Sequence, residues 1–121
     1  MPRATINRRE FISTSLAFAA LGLNSRAVAQ PTDPTKATIS QAYPLIRSGE
    51  LSPVELVNAY LDRIRQLDDR LNAFITVTDE RAVVRARELE RELVEGNWRG
   101  PLHGIPIALK DNIDTKGVLT T

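Results

Sequence analysis

The sequence of 121 residues predicts an α/β fold in which two to three helices lead into the first strands of a mixed sheet. Three features predict this: apolar residues recur at helical spacing in two stretches, residues 74–78 are rich in β-branched side chains, and residues 107–109 form a continuous apolar run. The composition, 42% hydrophobic and 26% charged, is ordinary for a globular protein and excludes collagen-like and wholly disordered chains.

The first 29 residues resemble an export signal. Arg8 and Arg9 precede a weakly apolar stretch at 13–23, and the small residues at 27–29 form a cleavage pattern. The apolar stretch is too short to cross a bilayer. We therefore expect a twin-arginine signal peptide, no stable membrane span and an exported, periplasmic protein. The alternative is a basic amphipathic helix that stays on the protein.

Charge and cysteine content narrow the classes of partner. Residues 1–29 hold four arginines and one glutamate, so the whole-chain charge of +1 leaves −2 for the remainder. That balance and an aromatic content of 5% speak against a nucleic-acid partner. The absence of cysteine excludes disulfides and thiolate-ligated metals. Residues 30–37 predict a polar tether, and residues 38–121 a single domain.

The first predicted helix begins at a capping box. Thr38 and Gln41 have the spacing in which each side chain can bond the other residue's backbone amide. Gly49 has the position of a C-terminal cap. Pro44 lies between these ends and lacks a backbone donor, so we expect the helix to kink or restart there.

A second capping box opens a longer helix. Ser52 suits the cap, Pro53 the first helical position, and Glu55 the return bond to the cap amide. The helix is predicted to run to about Leu67. Its apolar residues recur every three to four positions and form one stripe: Val57, Tyr60 or Leu61, Ile64 and Leu67.

A short strand and a third helix follow. Residues 74–78 read as the strand, and Thr78 or Asp79 can cap the helix, which Gly96 ends. This helix carries its apolar side chains on one face: Ala82, Val83, Ala86, Leu89 and Leu93. After Trp98 the chain is rich in glycine and proline, which predicts an irregular loop.

Lys110 stands at the end of the apolar run at 107–109, which reads as a strand buried on both faces. Active sites of α/β proteins lie at the ends of such strands. Desolvation favours the neutral form of a lysine amine, which can accept a proton from a serine hydroxyl. The alternative is a lysine that reaches from a strand end into water. Because the strand lacks neighbours, the sequence looks like the front portion of a larger fold, with sheet edges that invite self-association.

The stretch 100–117 reads GPLHGIPIALKDNIDTKG and strongly resembles the amidase signature family. Residues 48–57 and 71–75 resemble the same family's first helical hairpin and the approach to its first strand, so the resemblance covers about residues 38–121. It implies an N-terminal, truncated part of a mixed sheet flanked by helices. It also implies hydrolysis of carboxamides through a Ser–cis-Ser–Lys triad, with Lys110 as the lysine and no cofactor or metal.

The two serines of that triad belong to a downstream Gly/Ser-rich segment, and here no serine follows Ser52. We therefore expect an exported amidase fragment that is inactive alone, with a small amide as substrate of the full-length form. Two alternatives remain open. One is an amidotransferase A-type subunit for tRNA transamidation, against which the leader argues. The other is a non-catalytic interaction module that covers its sheet edges by dimerising.

The remaining polar residues near Lys110 have simpler interpretations. His103 is the only histidine and has no serine or cysteine near it in sequence, so packing of the loop is favoured over catalysis. Asp111 and Asn112 are expected to hydrogen-bond the loop. Asp114 with His103 does not make a metal site, because three or four ligands are needed.

Overall fold

The computed structural model describes residues 33–121, which form a short 3-10 turn and three α-helices. The turn is Pro34–Lys36, and the helices are α1 (Ile39–Ser48), α2 (Pro53–Leu71) and α3 (Asp79–Val94). The predicted signal peptide lies outside the described residues, as do residues 30–32 of the predicted tether. No helix between residues 33 and 121 is long and apolar enough to cross a membrane.

Both capping boxes are confirmed. The Thr38 amide donates to Gln41 Oε1 over 2.9 Å, and the Ser52 amide donates to Glu55 Oε2 over 3.0 Å. Gly49 ends α1 with φ +78°, as predicted. Helix α1 is continuous through Pro44, so it does not restart there.

Helix α2 runs four residues beyond its predicted end. Asn72 caps it in the left-handed conformation, with φ +48°. The Asp68 carboxylate then accepts hydrogen bonds from the amides of Ala73 and Phe74, at 2.8 and 3.2 Å. These hydrogen bonds satisfy the backbone amides just beyond the helix, which allows α2 to continue to Leu71.

The core lies where α2 packs on α3. Val57 and Leu61 from α2 meet Ala86 from α3, and Val54, Ala82 and Val83 pack around them. Part of each predicted apolar stripe therefore lies in the core: Val57 and Leu61 of α2, and Ala82, Val83 and Ala86 of α3. Leu45 and Ile46 of α1 and Leu56 of α2 are buried as well.

The predicted strands are not formed within residues 33–121. The run at 107–109 was predicted to be buried, yet Ile107 is 73% and Leu109 52% exposed. Residues 74–78 are exposed as well. A strand is defined by ladder hydrogen bonds to a neighbour, and none joins these two segments. The helical half of the predicted fold class is therefore observed, and the sheet is not.

Candidate active site

Lys110 lies in the irregular stretch after α3, and its side chain is exposed. Its carbonyl oxygen accepts a hydrogen bond from the Ile113 amide over 3.0 Å, which bends the chain immediately after it. The desolvation expected of a lysine at the end of a buried strand is therefore not found in this chain. The amine is instead presented at a surface.

That surface is an open groove of about 560 Å³. One wall is the α2 face around Tyr60 and Ile64. The two segments predicted as strands and residues of the stretch 113–120 form the others. Lys110 and Asp111 are the charged residues among those that line it. An apolar groove with a few polar groups is the usual form of a site for a small organic molecule.

Beyond Lys110, two carboxylates accept hydrogen bonds that fold the chain back on itself. Asp111 accepts hydrogen bonds from Thr121, at 3.1 Å from the amide and 2.6 Å from the hydroxyl. Asp114 accepts from the Thr120 hydroxyl over 2.8 Å. The prediction that Asp111 bonds the loop is confirmed. Arg81 of α3 donates to the carbonyl oxygen of Lys116 over 3.2 Å and so ties this loop to the helices.

His103 packs the loop, as predicted, and is 3% exposed. Its Nε2 lies 2.8 Å from the carbonyl oxygen of Leu89 in α3, and its Nδ1 accepts from the Arg99 amide over 3.2 Å. The ring stacks on Trp98, with centroids 5.0 Å apart. Both ring nitrogens are therefore bonded to backbone groups, which leaves neither to act on a hydroxyl nucleophile.

The sequence does not predict the ion pair at the start of the same loop. Arg99 Nε and Nη2 donate to the two oxygens of Glu92, at 2.5 and 2.6 Å. These hydrogen bonds hold the pKa of the Glu92 carboxyl below its usual range and raise the pKa of Arg99. A separation of seven residues falls outside the helical i,i+3 and i,i+4 rules, so no local pattern indicates the pair.

Ser52, the last serine of the sequence, has a structural role. Its hydroxyl accepts from the Val54 amide over 3.0 Å and donates to Glu90 of α3. It thus caps α2 and joins the two long helices. The described residues contain no cluster of three or more side chains that could hold a metal ion.

Comparison with known proteins decides the family. The family model described as Amidase matches residues 55–121, which include α3, the groove, Lys110 and nearly all of α2. The chain belongs to the amidase family. No solved structure matches this amidase-family chain significantly.

Several relatives carry the same name. The A subunit of glutamyl-tRNA(Gln) amidotransferase from Dehalococcoides mccartyi strain 195 is 44% identical over 90 residues, 74% of this chain and 18% of the relative. Those of Salinispora tropica and Prochlorococcus marinus are 43% identical over 90 residues and 45% over 76. The two matches cover 74% and 63% of this chain, and 18% and 16% of the relatives. This amidase-family chain thus spans less than a fifth of the length of these curated relatives.

Proposed function

We propose that this chain supplies the lysine-bearing N-terminal part of an amidase-family enzyme of the same type as the A subunit of glutamyl-tRNA(Gln) amidotransferase. The observation that carries the proposal is the stretch 100–117, which presents Lys110 at the groove inside the matched region. The shared name of these relatives favours this type over the exported amidase predicted from the leader.

The proposed chemistry is release of ammonia from a carboxamide. Lys110, as neutral amine, takes the proton of a serine hydroxyl while the serine oxygen attacks the amide carbon. The proton then passes to the leaving nitrogen, ammonia departs, and water hydrolyses the acyl-serine. The serine comes from a segment that this sequence does not contain, since its last serine, Ser52, is used in capping. Burial of Lys110 beneath that segment would supply the desolvation that the exposed amine lacks here.

A chimera tests the proposal. The stretch of the Dehalococcoides mccartyi relative that is 44% identical to this chain is replaced by the matching residues of this chain, and ammonia release from glutamine is measured. We expect an active chimera. Lys110→Ala and Lys110→Arg should each lower turnover by several orders of magnitude, because loss of one triad member costs about a million-fold in a serine hydrolase and guanidinium stays charged.

Lys116→Ala is the matched control, since Lys116 lies in the next turn and its backbone, not its side chain, bonds Arg81. Circular dichroism confirms that each variant is folded. Equal losses in Lys110→Ala and Lys116→Ala, or near-normal rates for Lys110→Arg, would remove Lys110 from the role of base.

The second candidate is an exported amidase, which the pattern of Arg8, Arg9 and the small residues at 27–29 favours. Sequencing the N-terminus of the protein from fractionated cells separates the two. Periplasmic material that begins near Gln30, and is lost when both arginines are replaced by lysine, supports export. Cytoplasmic material that begins at Met1 or Pro2 supports the amidotransferase type.

A further inference from the structure

His103 is the one polar or charged side chain that is buried within residues 33–121. One bond is to Leu89 of α3, fourteen residues away, and the other is to the Arg99 amide within the same loop. A buried polar group is costly unless it is fully hydrogen-bonded, and both nitrogens of this ring are bonded. The side chain therefore joins the loop to α3 at a defined point.

The two bonds fix the form of the ring. The carbonyl of Leu89 can only accept, so Nε2 carries a proton, while the Arg99 amide donates, so Nδ1 carries none. Only the neutral Nε2–H tautomer satisfies both. Three charged groups lie near the stacked rings of His103 and Trp98. Glu92 of α3 pairs with Arg99, and Arg47 of α1 lies 6.0 Å from the Trp98 ring centre.

The buried part of the loop ends at this point. His103 and Gly104 are the last buried residues before Lys110, Ile105 and Pro106 are half-buried, and residues 107–110 are exposed. Gly104 lies directly against α2. The last buried residues that hold the chain before Lys110 are therefore 103 and 104.

We propose that His103 is a positioning residue for Lys110. Its neutral imidazole holds the 99–104 turn against α3 and so fixes the point from which the chain reaches the groove. The inference rests on the proposed role of Lys110 as base, and it deepens that proposal by naming a residue that acts through Lys110 and not on the substrate.

Nuclear magnetic resonance of the 121-residue protein tests the first step. The imidazole nitrogen shifts at neutral pH should report the Nε2–H tautomer. A ring that averages between tautomers, or carries its proton on Nδ1, would overturn the proposal. Backbone ¹⁵N relaxation should show residues 103–106 as ordered as α2 and α3.

Three variants test the second step. His103→Phe keeps the stacked ring and loses both hydrogen bonds, His103→Asn retains an acceptor near Nδ1, and His103→Gln retains a donor near Nε2. We expect His103→Phe to lower the order of residues 105–113 with the helices intact, and Asn or Gln to restore part of it. Leu102→Ala, in the same turn but 61% exposed, is the control and should change nothing.

Unchanged order at Lys110 in all three His103 variants would overturn the proposal. If His103→Phe unfolds the helices, the test is whether residues 105–113 are less ordered in His103→Asn and His103→Gln than in Leu102→Ala. In the chimera, the folded variant with the most disordered 105–113 segment should lower kcat by up to about a hundredfold with KM little changed. The relaxation readouts do not depend on turnover, so failure of this inference and failure of the proposed function appear in different experiments.

Discussion

A Cβ atom placed on Gly104 would lie 2.8 Å from Cγ of Pro53, closer than side-chain carbons approach in folded proteins. The turn that precedes Lys110 therefore rests directly on the first turn of α2. Pro53 is itself fixed as the first residue of a capped helix, so it has little freedom to move away. This contact joins the local geometry of a helix start to the position of the candidate base.

Replacing Gly104 by alanine should destabilise the protein for two reasons. Its φ of +78° costs an L-residue about 1–2 kcal/mol, and the clash with Pro53 adds about 1–3 kcal/mol of overpacking. Gly49→Ala is the control, because Gly49 has the same φ and open space around it. Urea unfolding measures both. Equal losses for the two variants would show that the Pro53 contact relaxes without cost.

Ser52→Ala should lower the free energy of unfolding by about 1 kcal/mol, the usual cost of losing a serine cap. The lost bond to Glu90 of α3 adds to this. Asn58→Ala, on the exposed face of α2, is the control and should be neutral or slightly stabilising, since alanine is the better helix former. A Ser52→Ala protein as stable as the wild type would show that neither bond contributes.

The ion pair of Glu92 and Arg99 should make stability depend on pH. Because the pKa of Glu92 is lowered in the folded state, the pair contributes fully above the carboxyl's ordinary pKa of 4.5. The contribution is lost as the pH falls through the folded-state pKa. The difference in unfolding free energy between wild type and Glu92→Gln should therefore shrink as the pH is lowered below about 4.5. Asp33, whose pKa is also lowered by its Thr35 hydrogen bonds, is common to both proteins and cancels.

Glu95→Gln, at the exposed end of α3, is the matched control for that titration. It should differ from wild type by nearly the same small amount at every pH. A Glu92→Gln difference that stays constant from neutral to acidic pH would show that the carboxylate charge contributes nothing to holding Arg99.

The sequence predicts the helices well because their signals are local. The capping boxes at Ser52 and Thr38 each lie within four residues, and the stripe through Val57 and Leu61 needs only helical periodicity. The end of α2 was placed four residues early because a left-handed Asn72 has no strong sequence signal.

The candidate site was only partly predictable for the opposite reason. Lys110 is singled out by its neighbours in sequence, but His103 bonds the carbonyl oxygen of Leu89, which lies fourteen residues away in α3. No periodicity reports such contacts. The strand predictions are wrong because the hydrogen bonds between strands depend on segments that are remote in sequence. A β-branched composition measures only a preference for a pleated surface.

The exposed apolar residues of the groove lead to a last prediction, that the isolated chain associates. Ile107, at 73% exposure, lies beside other exposed apolar side chains, including Ile75 and Leu109. Contiguous apolar surface of this kind drives association in water. Sedimentation velocity should therefore show a mass that rises with concentration, and Ile107→Asp should shift the protein toward monomer. Val94→Asp is the control, because Val94 is more exposed, at 85%, but lies outside the groove. A wild-type chain that stays monomeric at high concentration, or an equal effect of both substitutions, would mean that the groove is not the surface through which copies meet.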